Sequence, residues 1–352
     1  MRFRRAATLS TTLKGGEGVV LNFLTQDRFS CSSDCLGFLA KLDDWHTGKD
    51  LYRYFPDVDG DAIAEQLAQL INFNAIVVEG TLEAKRDETY RKQWQWGATA
   101  GLFHFGVRNT PFIVSAKKTR KAMQSRRALR PSPPLYQSNR GKPKTKLPKT
   151  DTDIALFDVM RRRRTNRHFD GNAISLDALS DCLFAGNGIV DFFEMDADFG
   201  RLPKAMTPSG GARNPFELYV YARSVSGLKT GFYHYAALTH DLGRVRSGEV
   251  SAPEMLAGQK WAAKASVIVF LVAHFPRTMW KYHMPLSYRI VMMEAGFICQ
   301  NIALAATYHK LSAVPSGALK EPVIEGYIDT PPIESAVVFS ISIGRPEVQS
   351  KI

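Results

Sequence analysis

The chain has 352 residues and a net charge of +12 at pH 7. This length allows two domains, or one large domain with an appendage, and the 45% of hydrophobic residues can form a sizeable core. Four cysteines without a paired framework indicate a reducing compartment rather than a disulfide-stapled secreted protein. No secretory-type apolar segment is evident, and the longest strongly apolar run, residues 265–275, is too short to span a bilayer. We therefore expect a cytoplasmic protein without membrane contact.

The N-terminal part is predicted to be mainly helical. Apolar spacing and capping residues predict helices over residues 34–42, from Thr47 to residue 55 and from Asp59 or Asp61 onward, then a strand over residues 75–78. Three helices followed by a strand is the order of a winged helix, so we expect a winged-helix-like module over residues 1–116. Its first helices lack a basic recognition surface, which favours a protein partner and not nucleic acid.

No metal site is predicted in this module. Cys31 and Cys35 have C-x3-C spacing with His46 downstream, but zinc would need a further ligand at sensible spacing. The acidic run over residues 57–61 resembles the start of a calcium loop, but Ala68 stands where a bidentate glutamate is required. His104 is interpreted as a packed histidine and not as a catalyst.

A basic segment over residues 117–150 is predicted to be a flexible or extended linker. It contains twelve Lys and Arg residues and no Asp or Glu, which equals the net charge of the whole chain. It is also rich in proline and cannot bury a core. The excess charge is therefore local, and the segment is either simply solvated or contacts an acidic peptide or partner.

An α+β pattern is predicted for residues 151–352. Its elements are helices over residues 153–163, 176–185 (capped by Ser175) and 287–311, and strands over residues 216–222, 231–235, 266–272 and 336–343. The last helix is apolar over about seven turns, which suits burial in a dimer interface.

Four stretches offer groups that could hold a flavin. In the extended run RRTNR (residues 163–167), Arg163, Thr165 and Arg167 would point to one side and could bind a phosphate, although a solvated helix end is the plain alternative. The loop Pro208-Ser209-Gly210 before a strand allows close backbone approach to a flat ligand. A second loop over residues 314–318 offers backbone N–H groups, and Arg345 ends the final strand.

Lys281 and Tyr282 are the candidate proton carriers. They are adjacent and directly precede the long helix. A tyrosine is a poor base unless a neighbouring ammonium lowers its pKa, and a desolvated neutral lysine could itself take a proton. The sequence does not decide which of the two is the base.

These motifs occur in one order along the chain and together resemble the SagB-type dehydrogenases, a branch of the FMN-dependent nitroreductase fold. The matching segments are RRRRTNRHF, PSGGARNPFELYV, GFYHY, KY, YRIVMMEAGFICQNIALAA and ISIGRP. The resemblance covers residues 145–352 and implies a central, mostly antiparallel sheet flanked by helices. Two departures stand out: Phe297 and Asn214 occupy positions where many relatives have histidine.

The resemblance implies an azoline oxidase, which converts a thiazoline or oxazoline of a ribosomally made precursor peptide into a thiazole or oxazole. It implies a homodimer with FMN at the subunit interface, Lys281 and Tyr282 as the catalytic pair, and a possible cyclodehydratase partner. The implied cofactor contacts are Arg163, Thr165, Arg167, Pro208, Ser209, Gly210, Asn214, Asn301, Pro315, Ser316, Gly317 and Arg345.

Three other functions remain open at this point. The same site could reduce dehydroamino acids in a peptide, or reduce small nitro compounds or quinones. The chain could also be a flavin-free scaffold for a peptide, which an intact phosphate cluster at Arg163, Thr165 and Arg167 argues against. No GxGxxG fingerprint for a nicotinamide dinucleotide is present, so dioxygen or another acceptor is expected to reoxidise the flavin.

Overall fold

The computed structural model describes residues 1–15, 17–108, 115–129, 155–194, 201–331 and 333–347. The N-terminal part has six strands and six helices in the described residues. They are β1 (Arg2–Arg5), β2 (Leu9–Lys14), β3 (Glu17–Asn22), β4 (Arg28–Cys31), α1 (Ser33–Ala40), β5 (His46–Thr47), α2 (Gly48–Tyr54), α3 (Gly60–Asn72), β6 (Ile76–Val78), α4 (Leu82–Gln93), α5 (Gly97–Gly106) and α6 (Ala116–Leu129).

The C-terminal part alternates helices with the strands of a large sheet. Its described elements are α7 (Ala155–Arg162), α8 (Leu176–Asn187), β7 (Ile189–Glu194), β8 (Arg201–Ala205), β9 (Phe216–Ala222), β10 (Gly231–Ala236), β11 (Asp241–Ser247), α9 (Ala252–Met255), β12 (Val267–His274), α10 (Phe275–Met279), α11 (Leu286–Tyr308), β13 (Ser312–Ser316), α12 (Glu321–Ile328) and β14 (Ser335–Gly344).

The central sheet has six strands in the order β11-β10-β9-β12-β14-β13. Every neighbouring pair in it is antiparallel. The middle strand β12 is buried on both faces, because Val267, Val269 and Leu271 face one hydrophobic cluster while Ile268 and Phe270 face another. This alternation explains why the strand reads as a continuous apolar run in the sequence.

Helices cover both faces of this sheet. α8 and α11 pack on one face, and α9 and α12 pack on the other. At the α8–α11 contact, a Cβ on Gly186 would clash with the side chain of Ile302, so glycine permits the close approach of the two helices. The predicted α+β architecture with a mostly antiparallel sheet is thereby confirmed.

α11 is buried on one side only. By length and composition it could cross a membrane, but its inner residues, such as Val291, Ile298 and Ile302, pack in the core. The outer face leaves an apolar stripe exposed, formed by Leu286, Ile290, Met293 and Phe297. The helix is therefore a core helix of the fold with one uncovered apolar face.

The N-terminal part contains strands that the sequence analysis did not assign. β1 lies between β5 and β6, and β2, β3 and β4 form a separate antiparallel sheet. The predicted helices are present as α1, α2 and α3, and the strand over residues 75–78 is present as β6. These helices and β1 share one small core that includes Phe3, Phe38 and Leu67. The division of the chain into a winged-helix-like module, a linker and a catalytic domain remains a proposal.

Two expectations need correction. Residues 116–129 form the helix α6, and not an extended linker; the rest of the predicted linker lies outside the described residues. Residues 314–316 belong to the edge strand β13, where Pro315 and Ser316 pair with Ile341 and Ser340. The second predicted loop is consequently shorter than expected, because the strand uses part of its backbone for sheet pairing.

Candidate active site

The predicted loop Pro208-Ser209-Gly210-Gly211, called the PSGG loop below, lies shortly before the strand β9 of the central sheet. Gly211 (φ 60°), Ala212 (φ 53°) and Asn214 (φ 43°) all have left-handed backbone conformations, so the chain reverses sharply here. Gly210–Ala212 forms a short 3₁₀ turn. The loop is as compact as its sequence predicts.

The buried carboxylate of Glu294 on α11 anchors this loop. It accepts hydrogen bonds from the Ser209 hydroxyl (2.9 Å) and from the Gly210 N–H (2.8 Å). The Ser209 hydroxyl also accepts a hydrogen bond from the Asn214 N–H (2.9 Å). Burial raises the pKa of Glu294, although the bonds from Gly210 and Ser209 oppose the shift. Glu294 has no predicted role in the sequence; the available signal is that it is the single carboxylate of a mostly apolar helix.

Asn301 holds the other end of the loop. It lies seven residues after Glu294, on the same side of α11. Its Nδ2 donates to the Thr207 hydroxyl (3.0 Å), which donates to the Gly186 carbonyl (2.6 Å). The structure thus joins Ser209, Gly210 and Asn214 in one hydrogen-bonded unit, and Asn301 bonds to Thr207, two residues before Ser209.

Lys281 and Tyr282 lie against this unit. They occupy the turn between α10 and α11 and are half-buried. A Cβ added to Gly211 would meet the Tyr282 hydroxyl and would lie 3.0 Å from the Lys281 Nζ. The Lys281 Nζ is 5.6 Å from the centre of the Tyr282 ring. Two proton carriers and a glycine-lined loop are therefore adjacent, although the sequence separates them by about 70 residues.

The N-terminal part contacts the turn that carries this pair. The Trp96 Nε1–H donates to the Tyr282 carbonyl (2.8 Å), and the Gln95 Oε1 lies 3.0 Å from the His283 Nδ1. Trp96 is fully buried, and its ring lies 5.7 Å from that of Phe275 on α10. The aromatic segment before α5 therefore forms part of the wall behind the candidate catalytic turn.

His104 belongs to the same contact. Its Nδ1 lies 2.8 Å from the Tyr288 hydroxyl, and its ring stacks on Trp94 at 5.5 Å. Burial, with a smaller contribution from the Arg108 charge, lowers the pKa of His104 to about 3. The interpretation of His104 as a packed histidine is confirmed, since its side chain is buried.

A charged network that the sequence did not predict lies beside the loop. Arg277 on α10 pairs with Glu217 and donates to the Asn214 carbonyl (2.9 Å). Glu217 also contacts the His234 Nε2 at 2.8 Å. Burial raises the pKa of Glu217, but His234 and Arg277 outweigh this and hold the pKa below its usual value. These residues line a cavity of about 480 Å³ under the β7–β8 hairpin.

The predicted phosphate residues leave α7 in an irregular segment. Arg163 is half-buried, whereas Thr165 and Arg167 are exposed. Within the part of the chain that the structure describes, the guanidinium groups of Arg163 and Arg167 have no hydrogen-bond or ion-pair partner. Arg164, in contrast, donates to the Arg163 carbonyl (2.7 Å).

Main-chain pairing brings this segment to the end of β14. The Asp170 N–H donates to the Arg345 carbonyl (3.0 Å), and the Glu347 N–H donates to the His168 carbonyl (2.9 Å). Arg345 is therefore next to the run that contains Arg167, as a shared phosphate site would require. Its side chain lies 3.5 Å from the Asp170 carboxylate, which would compete with a phosphate.

The remaining predicted contacts lie elsewhere in the chain. Pro315 and Ser316 belong to β13, the outermost strand, which is three strands away from β9. The Ser316 hydroxyl accepts hydrogen bonds from Gln259 (3.1 Å) and from the Ala318 N–H (3.2 Å). Among the described residues, no hydrogen bond or ion pair joins Pro315, Ser316 or Gly317 to the PSGG loop.

Comparison with known proteins places this architecture in a family. Residues 160–345 match the nitroreductase family. A nitroreductase homologue of Methanocaldococcus jannaschii is 34% identical over 168 residues, which cover 47% of this chain and 80% of that protein. The trifolitoxin-processing protein TfxB of Rhizobium leguminosarum bv. trifolii is 31% identical over 176 residues. That match covers 47% of this chain and 46% of TfxB, so it spans less than half of that relative.

Among the solved structures that the chain resembles is a chain of the Escherichia coli microcin synthetase McbBCD complex with truncated pro-MccB17 bound. It is 17% identical, with a TM-score of 0.48, over 76% of this chain and 92% of that chain. The family match spans more than half of the sequence and includes every residue of the loop, the turn and α11. The expected nitroreductase-like fold is confirmed, and the chain belongs to the nitroreductase family.

Proposed function

We propose that this protein is an FMN-dependent dehydrogenase that oxidises a ribosomally made precursor peptide, converting an azoline to a thiazole or oxazole. The observation that carries the proposal is the placement of Lys281 and Tyr282 against Gly211 of a rigid loop. The likeness to a trifolitoxin-processing protein supports a peptide substrate. A cyclodehydratase would be the partner that supplies the azoline, and the cytoplasm would be the compartment.

The cofactor is FMN, in keeping with the family. The residues present suit a flavin with one phosphate. Arg163 and Arg167 offer guanidinium groups without a partner among the described residues, and Arg345 is beside them. Arginine forks bind phosphate oxygens well. The PSGG loop would contact the ring system, because Gly210 and Gly211 present backbone without side chains.

A homodimer would complete the site. Pro315, Ser316 and Gly317 lie on the edge strand of the sheet, away from the PSGG loop of the same chain. The exposed apolar stripe of α11, formed by Leu286, Ile290, Met293 and Phe297, would be covered by a second copy. A loop from one subunit and β13 from the other could then meet at one flavin.

Oxidation of an azoline removes a proton and a hydride from the ring and produces an aromatic product. Bound FMN supplies the hydride acceptor. Tyr282 or Lys281 would take the proton from the ring carbon, since both polar groups face the loop at Gly211. Glu294 would hold Ser209 and Gly210 in place through hydrogen bonds of 2.9 and 2.8 Å, so that the loop does not reorganise during the reaction.

The experiment incubates the purified protein with a synthetic peptide that contains one thiazoline, in air. We expect the peptide to lose two hydrogens, seen by mass spectrometry, and the released cofactor to be FMN. An unchanged thiazoline with FMN bound would contradict azoline oxidation. A gain of two hydrogens on a dehydroalanine peptide, in a parallel reaction without air in which the bound flavin has first been reduced with dithionite, would instead support a reductase. A protein that binds no flavin after reconstitution would favour a scaffold.

A further inference from the structure

Arg213 connects the PSGG loop with the turn that carries Lys281 and Tyr282. It lies two residues after Gly211, the glycine against which those two side chains lie. Its guanidinium carbon is 4.7 Å from the centre of the Trp280 ring, and Trp280 directly precedes Lys281. Arg213 is half-buried and lines the cavity of about 480 Å³ beside the loop. A cation is therefore held next to the candidate proton carriers.

Two contacts fix the guanidinium of Arg213 in place. Its Nε–H donates to the Arg277 carbonyl (2.8 Å), and the group lies over the ring of Trp280 in a cation–π contact. Among the described residues, neither terminal amino group of Arg213 has a hydrogen-bond or ion-pair partner. Because the planar fork is already held, it loses little freedom when its terminal groups bind an oxygen atom.

The charge of Arg213 is not neutralised by its neighbours in the cavity. Glu217 is the single carboxylate among the lining residues. One of its oxygens pairs with Arg277, and the other contacts the His234 Nε2 at 2.8 Å. Within the described part of the chain, no carboxylate forms a salt bridge with Arg213. The site therefore offers an uncompensated positive charge to a ligand atom that carries negative charge.

The proposed reaction creates negative charge on the substrate. In an azoline made from a peptide, the ring carbon that loses its proton is the former α-carbon, which carries the carbonyl of the next peptide unit. When a base removes this proton, the electron pair of the C–H bond moves towards that carbonyl, whose oxygen becomes an enolate oxygen. The pair then forms the new ring double bond as a hydride leaves the former β-carbon for bound FMN.

We propose that Arg213 binds the carbonyl oxygen next to the reacting ring carbon and stabilises the negative charge that develops there. The inference rests on the proposed azoline oxidation. The base at Tyr282 or Lys281 would act on the α-carbon, and Arg213 would act on an oxygen two bonds away from it. This short separation suits groups that lie against residues 211 and 213 of one loop. A donor held ready for developing charge typically contributes roughly 10²–10³-fold in rate.

The test measures proton removal separately from oxidation. Full-length, FMN-loaded protein is reduced with dithionite in the absence of air, which leaves no hydride acceptor. It is then incubated in D₂O with a synthetic peptide that contains one thiazoline. After the amide deuterons have been exchanged back in H₂O, mass spectrometry follows the deuterium that remains on the α-carbon. The wild type should exchange this position faster than buffer alone, and Arg213→Gln should lower the protein-dependent rate by about 10²-fold.

A modified substrate tests whether Arg213 acts through the carbonyl oxygen. In this peptide the carbonyl next to the ring is a thiocarbonyl, whose sulfur is a weaker hydrogen-bond acceptor than oxygen. The α-carbon proton remains acidic, so its exchange can still be measured. The effect of Arg213→Gln should shrink to about tenfold or less on this peptide, because the variant and the sulfur remove the same interaction. A purely structural role of Arg213 would slow both peptides equally.

Two further variants serve as controls. Arg246→Gln removes a guanidinium that lies 4.7 Å from the Tyr327 ring, outside the cavity, and its exchange rate should match the wild type. Arg213→Lys keeps the charge without the planar fork and should lose roughly tenfold. Circular dichroism and FMN content should match the wild type in all variants. If Arg213→Gln fails to fold, Arg213→Lys carries the comparison of the two peptides.

Several outcomes would overturn the role of Arg213. They are wild-type exchange by Arg213→Gln, an equal loss on the two peptides, and a wild type that oxidises the thiazoline without any exchange. Weaker FMN binding by Arg213→Gln, with an unchanged exchange rate per bound FMN, would assign the residue to the flavin instead.

The same measurements separate this role from the proposed reaction. Oxidation at the wild-type rate by Arg213→Gln refutes the role of Arg213 alone. Exchange that depends on Arg213, in a protein that never oxidises the thiazoline in air, refutes the proposed oxidation alone. A wild type that neither exchanges nor oxidises refutes both.

Discussion

Lys281 and Tyr282 offer different chemistry at the same glycine of the loop, an ammonium with three donors and a phenol that both donates and accepts. Tyr282→Phe keeps the ring but removes the hydroxyl, and Lys281→Ala removes the charge. If the pair transfers the proton, each change should lower the rate of azole formation by roughly 10²–10⁴-fold. The flavin absorbance spectrum should stay the same, because neither residue is predicted to bind FMN.

Tyr308→Phe is a suitable control for this experiment. Tyr308 is the last residue of α11, the helix that follows the turn with Lys281 and Tyr282, and it is 68% exposed. The loss of its hydroxyl should therefore leave the rate near that of the wild type. High activity in both Lys281→Ala and Tyr282→Phe would exclude the pair as proton carriers. The protein would then still be a flavoenzyme, with another base.

Neighbouring arginines should differ in their effect on the cofactor. Arg163→Ala should weaken FMN binding by about tenfold to a hundredfold, the loss expected for a charge-assisted bond to phosphate. Arg164→Ala should have a smaller effect, because the Arg164 guanidinium already bonds to the Arg163 carbonyl. Fluorescence titration of the flavin-free protein measures both. Equal losses of FMN affinity in the two variants would show that the side chains of Arg163 and Arg164 do not point to opposite sides as predicted.

His104 should make the folded state sensitive to acid. Its pKa is lowered to about 3 in the folded protein, against about 6.5 when unfolded. Below about pH 6.5 the unfolded chain therefore binds a proton that the folded chain does not, and stability falls with pH by up to about 1.4 kcal/mol per unit. His104→Gln should reduce this slope in denaturant unfolding. If stability varied with pH equally in His104→Gln and in the wild type, the lowered pKa of His104 would be contradicted.

At the scale of elements, the segment before α5 supports the turn between α10 and α11. Trp96→Phe preserves the aromatic packing but removes the N–H that reaches the Tyr282 carbonyl at 2.8 Å. A buried carbonyl that loses its donor costs about 1–3 kcal/mol, so the turn should become less ordered. We expect kcat to fall about tenfold with FMN affinity unchanged, and the pH dependence of kcat to shift if Tyr282 is the base.

Trp45→Phe is the matched change for this test. Trp45 lies in the N-terminal part, where its ring packs under the guanidinium of Arg4 at 4.9 Å, and it does not touch the turn. Its kinetics should match the wild type. A normal kcat for Trp96→Phe would mean that this bond contributes to folding only.

At the scale of the whole molecule, the exposed stripe of α11 predicts a dimer. Phe297 is 48% exposed and lies in the middle of this stripe. Phe297→Glu places a charge where apolar contact is expected. The mass measured by light scattering should therefore fall from about twice the chain mass towards the single-chain mass of 39.3 kDa. FMN should bind more weakly in the monomer, because β13 and the PSGG loop would no longer meet. A monomeric wild type with full FMN content would contradict the shared site.

Local chemistry in the sequence was sufficient to predict half of the described elements of the C-terminal part. Ser175 caps α8 as expected, because its side chain accepts a hydrogen bond from the Ala178 N–H. The strand over residues 216–222 is present with the predicted bounds. Such elements depend on periodicity and caps over a few residues, and a single sequence contains that information.

Other features depended on distant parts of the chain. β1 pairs with β5 and β6, which lie more than 40 residues away, so no local pattern marks it as a central strand. Residues 314–316 resemble a loop, because the sequence Pro315-Ser316-Gly317 is typical of turns, but pairing with β14 makes residues 314–316 a strand. The sequence did not predict the helix α6, because its basic composition is typical of a solvated linker.

The sequence by itself indicated the nitroreductase-like fold, the loop and the two candidate proton carriers, because these are properties of ordered motifs along the chain. Only the tertiary structure decided that Lys281 and Tyr282 face Gly211, that Glu294 anchors the loop, and that Trp96 supports the turn. These contacts join residues about 70 to 190 positions apart. They exist because packing of α11 against the sheet fixes which side chains meet, and that geometry is not written in any local stretch of residues.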